Sequence, residues 1–477
     1  MKDVREYVLR TPPGGVKRYD HDALCDLLEV EDRSRVIFEQ GVAREAIVRI
    51  YPSNPLMNMR EISAHDLLMD ERGRITLGTY YDGAPLRFRL FDPKTGNAQR
   101  GAIFGTTGAG KSRLGQAILV ACKLSGIVVH LADLKEGQSV PEAKGQVATR
   151  VTSQYETILM LRGLVAEAHR RMKAYGKLGR SGFVINDPDP LTYGIIDEAN
   201  RLLEKNAPFR DEAAWLIKEL GRTGRSVGVG IIILAQAGHL DELGGSDTLR
   251  AMLKEGEVIL LRWSSEMMQQ LVGDGLIPRG EALQPIQKVV GQVRRIRRYH
   301  EVAPDDEDDV NSQGMLYHLT GSRPTSMART YVVGSIAPCP GYDPLILDLY
   351  GDQPPPGEAI NLMAYVTDKE IKALADSDDG EGPTGPAGSA AAASAAAEPG
   401  PSTAPKSLAQ RILAVLPPEG MTAPDLMVAL DADGHSTRSV RRGTLNTTIS
   451  TMRNDGKLAR PDGTGLVRPA PTATSDD

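Results

Sequence analysis

Residues 100–112 read RGAIFGTTGAGKS, and this stretch decides the fold. From residue 105 onward it matches the phosphate-binding pattern G-x-x-x-x-G-K-[ST] at every fixed position. The apolar residues before the loop are typical of a buried strand, and residues 113–122 are rich in helix formers. Backbone N–H groups and a helix N-terminus together bind phosphate in this context. The sequence therefore predicts a nucleoside triphosphate site made of Gly105, Thr106, Thr107, Gly108, Ala109, Gly110, Lys111, Ser112 and Arg113.

A second motif, which is acidic, supplies the carboxylates that a phosphate loop needs for hydrolysis. The short apolar run at 193–196 ends in two adjacent carboxylates, Asp197 and Glu198. In phosphoryl transfer to water, one acid holds Mg²⁺ and another polarises the attacking water. We expect Lys111 to reach the β- and γ-phosphates, Ser112 and Asp197 to hold Mg²⁺, and Glu198 to act on the water. The predicted cofactors are ATP and Mg²⁺.

Three polar residues around the apolar run at 229–234 are further candidates. Gln236 follows that run, at the position where ligand sites form in open α/β sheets, so it is either a γ-phosphate sensor or a simple strand-end cap. Arg222 and Arg225 precede the run. They are either arginine fingers that enter a neighbouring subunit's site or the solvated end of a helix.

The order of apolar runs predicts the fold class. Runs at 102–104, 127–131, 193–196 and 229–234 alternate with helical stretches such as 153–175, which implies a mainly parallel sheet covered on both faces. Residues 256–262 and 327–333 are predicted to be further strands of that sheet. Residues 74–92 predict a β-hairpin that turns at 81–84. We predict an α/β fold of the P-loop NTPase type.

Composition divides the 477-residue chain into several parts. Residues 376–405 are rich in Ala, Gly, Pro, Ser and acids and contain no large apolar residue, which is typical of a flexible linker. Beyond it, Leu408, Ile412 and Leu413 indicate one helix, 421–430 a second and 437–456 a third, followed by a β segment at 457–468; this pattern predicts a winged helix. The predicted parts are a mixed α/β region at 1–73, the motor domain at 74–370, the linker at 371–405, the winged helix at 406–470 and a disordered tail at 471–477.

Charge is distributed unevenly along the chain. The net charge is −6, yet residues 435–470 carry seven basic and two acidic residues. A local basic face of this kind indicates contact with DNA phosphates and bases, although a protein-docking or merely solvated face would have the same composition. The predicted DNA-binding residues are Arg438, Arg441, Arg442, Asn446, Arg453 and Lys457. The basic run at 294–298 is either the lining of a DNA channel or a solvated face.

The cysteines and the apolar stretches of the chain indicate its cellular compartment. Three scattered cysteines show no metal-ligand spacing, and the first residues are charged with no apolar stretch of signal-peptide or transmembrane length. We therefore expect a cytoplasmic protein with no transmembrane segment of its own, and recruitment to a membrane through a partner stays open.

The motifs taken in order resemble the FtsK/SpoIIIE family of hexameric double-stranded DNA translocases. The resemblance runs from residue 74 to about 335 and includes the loop at 105–112, Asp133-Leu-Lys135, the acidic pair at 197–198, the segment 221–236 and the GSRPTSMARTY run at 321–331. It implies a RecA-like motor that hydrolyses ATP in a homo-oligomeric, hexameric ring and moves double-stranded DNA.

Two departures from that family narrow the resemblance. The family usually has T-Q-R-P at the sensor strand, where this chain has Ala235-Gln236-Ala-Gly, and the membrane-spanning N-terminus of the cell-division members is not found. The chain is most similar to actinobacterial-type proteins of conjugal double-stranded plasmid transfer. Two alternatives remain: a secretion-type ATPase that moves protein cargo, and a non-translocating, ATP-regulated DNA-binding protein.

Overall fold

The structure is a computed structural model that describes most of the chain as far as residue 370 and short pieces beyond it. The described residues are 3–11, 20–40, 45–236, 255–262, 283, 285–286, 311–368, 370, 408–417, 421–432, 448–449, 458–459 and 466–468. Contacts divide the chain into two units, Met1–Gly382 and Pro383–Asp477. The predicted linker at 371–405 lies outside the described residues.

A small sheet and one helix form the N-terminal part of the first unit. Helix α1 (His21–Leu27) packs with three antiparallel strands in the order β1-β3-β2, namely β1 (Arg5–Arg10), β2 (Val36–Gln40) and β3 (Glu45–Ile50). Their core contains Cys25, Val36 and Val48. From Tyr51 onward, buried residues belong instead to the main core of the unit, so that core begins before the boundary predicted at residue 73.

The main sheet has ten strands within the described residues. Their order is β10-β9-β11-β12-β8-β13-β14-β15-β4-β5. The bounds are β4 (Arg74–Tyr80), β5 (Pro85–Arg89), β8 (Arg100–Gly105), β9 (Val128–Asp133), β10 (Thr149–Val151), β11 (Thr192–Asp197), β12 (Val229–Ala235), β13 (Glu257–Leu261), β14 (Met315–His318) and β15 (Met327–Thr330). A separate two-stranded ribbon pairs β6 (Phe91–Asp92) with β7 (Asn97–Ala98).

The sheet has a parallel half and an antiparallel half. The first six strands in this order, β10 to β13, are parallel to one another. From the pair β13 and β14 onward, through β15 and β4 to β5, every pairing is antiparallel. Every residue of β8, β9, β11 and β12 is buried. Because successive side chains point to opposite faces, this half must be covered on both sides. The predicted α/β class with a large, mostly parallel sheet is confirmed.

Helices of the first unit connect these strands. Their bounds are α2 (Ala64–Leu67), α3 (Lys111–Leu124), α4 (Gln154–Lys177), α5 (Asn200–Leu203), α6 (Arg210–Thr223) and α7 (Pro344–Tyr350). The helix predicted at 153–175 is α4, and Ser153 is its N-cap: the hydroxyl accepts the N–H of Glu156, whose carboxylate in turn bonds the Ser153 N–H. This reciprocal pair satisfies two otherwise unpaired donors and fixes where α4 begins.

Strand β8 occupies the middle of the sheet, between β12 and β13. The carboxyl ends of its neighbours align with its own, since Ala235 pairs with Phe104 and Leu261 with Gly105. On the far side of β12, Asp197 pairs with Asp133 in the same way. The residues that follow five parallel strands therefore meet at one edge, where ligands bind in open α/β sheets.

The described part of the second unit is a small helical core with a β-pair. Helices α8 (Leu408–Val415) and α9 (Ala423–Ala432) pack with buried Ile412, Leu426 and Ile449. Met421 was expected in the second helix, but β16 (Met421–Thr422) pairs antiparallel with β17 (Leu466–Val467), so that expectation was wrong. β17 lies in the β segment predicted at 457–468, and its backbone N–H and C=O groups pair with those of β16. The third predicted helix lies almost wholly outside the described residues.

Within the described part of the chain, no helix is long and apolar enough to cross a membrane.

Candidate active site

The phosphate-binding loop has the backbone that its glycines permit. Gly108 and Gly110 adopt left-handed conformations, with φ of +74° and +100°. Gly110 is the N-cap of α3 and makes no side-chain capping bond. The first N–H groups of α3 therefore have no partner from a capping side chain, and the helix dipole favours an anion beside them.

Lys111 joins the loop to the acidic pair at the end of β11. Its Nζ lies 2.9 Å from Oε1 of Glu198 and 3.8 Å from Oδ1 of Asp197. All three side chains are buried, each at most 7% exposed. The structure thus brings Lys111 to two adjacent acids that lie more than 80 positions later in the sequence. The three side chains form an ion-pair cluster at the carboxyl edge of the sheet.

The two carboxylates have different environments. Burial raises the pKa of the Asp197 carboxyl, against the opposing effect of Lys111. Its Oδ2 atom is buried and accepts no hydrogen bond from any residue in the described part of the chain. Burial also works to raise the pKa of Glu198, but bonds from Gln236 and Lys111 outweigh it and hold that pKa below its ordinary value. Glu198 is therefore the more readily ionised acid of the pair, and Asp197 keeps an unsatisfied oxygen.

Gln236 lies where the sequence placed it, directly after β12. Its amide Nε2 donates to both carboxylate oxygens of Glu198, at 3.1 and 3.0 Å. This contact goes beyond a strand-end cap, because it fixes the orientation of the Glu198 carboxylate. Glu198 itself has a left-handed backbone, with φ of +55°, which is uncommon for a residue other than glycine and typical of functional sites.

Arg222 and Arg225 lie at the amino ends of the parallel strands, whereas Lys111 lies at their carboxyl ends. Arg222 is in the last turn of α6 and pairs with Glu219 at 2.7 Å, and Arg225 begins the 3₁₀ turn Arg225–Val227 that leads into β12. The amino end of β12 is far from its own phosphate loop, since parallel strands place all carboxyl ends together. Neither arginine lies at the end of the sheet that carries the phosphate loop of its own chain.

Arg113 has a structural contact in addition to its position after the loop. Its guanidinium donates to Oδ2 of Asp343 at 3.0 Å and to the Ser335 carbonyl at 3.1 Å. The side chain therefore anchors the segment before α7 to the start of α3.

Asp133, the first residue of the Asp133-Leu-Lys135 motif, is fully buried. Its carboxylate accepts the backbone N–H groups of Lys135, Ser139 and Val140 at 3.1–3.2 Å. It shapes the loop after β9.

One buried residue at the same edge was not identified from the sequence. Arg262 follows β13, is 7% exposed, and its carbonyl accepts the Thr106 hydroxyl of the phosphate loop at 3.4 Å. A lone arginine after an apolar run carries no local signal. It reaches the loop because the preceding residue, Leu261, pairs with Gly105 in the sheet.

Several predicted residues lie outside the described part of the chain. These are the six DNA-binding candidates Arg438, Arg441, Arg442, Asn446, Arg453 and Lys457, and the basic run at 294–298.

Comparisons with known proteins give partial likenesses. No protein-family model matches the chain. Among curated proteins, the ESX secretion system protein EccC of Thermomonospora curvata is 26% identical over an alignment 200 residues long that covers 37% of this chain. The chain spans only 15% of the length of that relative.

The comparison with solved structures finds partial likenesses to secretion and conjugation proteins. The cytoplasmic domain of the type VII secretion ATPase EccC of T. curvata has a TM-score of 0.44 at 19% identity and covers 64% of this chain and 34% of its own. The pCW3 conjugation coupling protein TcpA with ATPγS has a TM-score of 0.44 at 15% identity and covers 69% and 85%. ATPases 2 and 3 of EssC from Geobacillus thermodenitrificans have a TM-score of 0.42 at 14% identity and cover 63% and 50%.

Proposed function

We propose that this protein is an ATPase whose hydrolysis drives the movement of a polymer through a homo-oligomeric ring. The observation that carries the proposal is the cluster of Lys111, Asp197, Glu198 and Gln236 beside the phosphate loop. These groups supply a phosphate cation, a metal ligand, a base for water and an amide that positions that base.

The residues present fit a magnesium ion. The unsatisfied Oδ2 of Asp197 and the Ser112 hydroxyl would hold it, because Mg²⁺ prefers oxygen ligands. When bound with ATP, the ion would neutralise charge on the phosphates.

Nucleotide entry changes the partner of Lys111. Without a phosphate, Lys111 Nζ is bonded to Glu198, which makes that carboxylate a weaker base. Phosphates would compete for the ammonium and leave Glu198 with Gln236 alone. The base would thus become available only when its substrate is present.

The location of the arginines supports an oligomer. Arg222 and Arg225 lie at the edge opposite their own loop and so could complete only a neighbour's site. Such arginines stabilise transition-state charge when supplied by another subunit. A ring of copies, hexameric in the FtsK/SpoIIIE family that the sequence resembles, would provide that arrangement.

Double-stranded DNA is the proposed cargo. The support is the basic composition of residues 435–470 in a chain that is acidic overall, together with the ordered motifs of a DNA translocase. We place such a motor in the cytoplasm, in plasmid or mobile-element transfer or in DNA segregation, with recruitment to a membrane through a protein partner.

A protein cargo is the second candidate. It is favoured by the 26% identity to a secretion system protein over 200 residues. The third candidate is an ATP-regulated DNA-binding protein that does not translocate.

Displacement of a triplex-forming strand from linear duplex DNA distinguishes these candidates. The full chain should displace the strand with ATP, and Lys111→Ala should abolish displacement. Absence of ATP-dependent displacement by an active ATPase would sink the DNA-motor proposal. A full chain with Arg438, Arg441 and Arg442 changed to Gln should bind DNA more weakly and with a shallower dependence on salt, since each phosphate contact releases counterions.

A further inference from the structure

We propose that Arg262 is a second phosphate-binding cation, supplied to the nucleotide by the same chain that carries the loop. The inference rests on the proposed ATP site and adds a residue to it. It is carried by the position of the guanidinium, by its bonding and by the absence of a carboxylate partner among the residues that the structure describes.

The position of Arg262 is set by β13. Its backbone N–H donates to the Met315 carbonyl at 3.0 Å, and its carbonyl accepts the Thr106 hydroxyl. The side chain points to the loop: a methyl group placed on Gly108 would lie 3.6 Å from Nη1. Arg262 has a left-handed backbone, with φ of +41°, a strained conformation that clusters at functional sites.

The bonding of the guanidinium leaves one nitrogen available. Nε donates to the Ser312 hydroxyl at 3.1 Å, and Nη2 donates to the Asn311 side-chain oxygen. Nη1, the nitrogen nearest Gly108, makes no hydrogen bond to any residue that the structure describes. Two bonds therefore fix the guanidinium plane, and the third nitrogen faces the phosphate loop.

The charge of Arg262 is not neutralised by an acid in the described part of the chain. Burial lowers its pKa, and its positive charge acts on another buried cation, Arg329. Burial and Arg262 together lower the pKa of Arg329 to about 10, and all the acceptors of Arg329 among the described residues are uncharged. A buried charge without a counter-charge is costly.

The phosphate chain of a nucleotide would supply that counter-charge. Lys111, by contrast, already has two carboxylate partners. Arginine suits the role because its planar fork matches phosphate geometry and stays charged when buried.

The competing explanation is that Arg262 only supports the loop. Its partners Asn311 and Ser312 belong to the segment from which Gly314 donates its N–H to the Ala109 carbonyl, at 2.9 Å. Arg329 braces the same segment through the carbonyls of Gln313 and Asn311. Arg329→Gln is therefore a matched control, because it removes a buried brace that has no nitrogen facing the loop.

The test measures binding of ATPγS with Mg²⁺ to the full-length chain by calorimetry, with melting temperature recorded in parallel. Arg262→Gln should weaken binding by roughly 10–100-fold, the usual effect of losing a hydrogen bond to a charged group. Arg329→Gln should lower the melting temperature with a change in Kd of less than about threefold. Equal affinities of wild type and Arg262→Gln would overturn the proposal, and so would an equal loss of affinity in Arg329→Gln.

A second variant covers the case in which Arg262→Gln does not fold. Arg262→Lys keeps the charge, but one ammonium cannot hold the 311–312 segment and a phosphate together, so binding should weaken by about threefold or more. An unchanged Kd for this variant would also refute the role. Failure of the wild-type chain to bind ATPγS would instead contradict the nucleotide site itself.

Discussion

Glu198 is hydrogen-bonded to both a cation and an amide. A change at this one residue should therefore separate ATP binding from ATP hydrolysis. Lys111 and Gln236 each donate to its carboxylate. Removal of the negative charge takes away the base for water and leaves the phosphate loop intact.

Glu198→Gln should therefore separate the two functions. We expect kcat for ATP hydrolysis to fall by roughly 10²–10⁴-fold, the usual contribution of a general base, while ATP binding is retained. Steady-state hydrolysis and equilibrium binding measure the two effects. Glu212→Gln is the matched control, since Glu212 on α6 pairs with Arg162 on α4; a comparable loss of kcat there would contradict the assignment.

Asp66 predicts how stability depends on pH. Its carboxylate accepts a two-pronged contact from Arg60, and burial only partly offsets that effect, so its pKa is lowered to about 2. A group with a lowered pKa stabilises the fold above its unfolded pKa and loses that effect as the pH falls towards the folded pKa. Stability should therefore drop between about pH 4 and pH 2.

Asp66→Asn should remove this acid-sensitive contribution. Because Arg60 is half exposed, we expect a loss of about 1–2 kcal/mol at neutral pH and a flatter curve below pH 4. Urea unfolding at pH 7, 4 and 2.5 measures both. The exposed neighbour Glu71 provides the control Glu71→Gln, and an Asp66→Asn curve parallel to wild type would show that the ion pair contributes nothing.

Among the structural elements, the phosphate loop depends on Gly108 and Gly110, whose left-handed backbone would be strained in any other residue. Gly110 has φ of +100°, and a methyl group added there would lie 3.3 Å from the Gly314 nitrogen. The loop therefore depends on the segment before β14 as well as on its own sequence.

Gly110→Ala should abolish nucleotide binding. The left-handed backbone and the close approach would both displace the loop, with a loss of stability of roughly 1–3 kcal/mol. Gly126→Ala is a close control: it has φ of +69°, and no described residue lies within 4 Å of the added methyl group. ATPγS titration and thermal unfolding should show similar destabilisation for both and loss of binding only for Gly110→Ala; intact binding in that variant would refute the loop geometry.

Elements with a local pattern were predictable, and those that depend on distant partners were not. The loop, α4 with its Ser153 cap, and the strands around Asp197 and Gln236 follow from short-range signals. Strand β14 was missed, because its four residues acquire a strand partner only through β13 and β15. Arg262 was missed for the same reason, and the Lys111–Glu198 ion pair required knowledge of which strand lies beside β8.

At the scale of the whole molecule, the arginines opposite the loop predict complementation between defective subunits. Lys111→Ala breaks the loop of its own chain, and Arg222→Ala/Arg225→Ala breaks only what that chain gives to a neighbour. Each preparation alone should be nearly inactive. In a mixed ring, about a quarter of the interfaces join an intact loop to intact arginines, so about a quarter of the ATPase activity should return.

The control for this mixture pairs Lys111→Ala with Glu198→Gln. Both changes damage the site of the chain that carries them, so no interface regains function. Recovery in this control, or no recovery in the first mixture, would show that the arginines do not act between subunits.

The central position of β8 also determines when the chain can fold. Its hydrogen-bonding partners β12 and β13 come roughly 100–150 residues later in the sequence. A ribosome adds about 5–20 residues per second, so this strand, which the fold buries completely, waits on the order of ten seconds for both neighbours. During that interval its two edges are open to pairing with other nascent chains. Synthesis of the protein in quantity therefore depends on protecting β8 until residue 261 has been made.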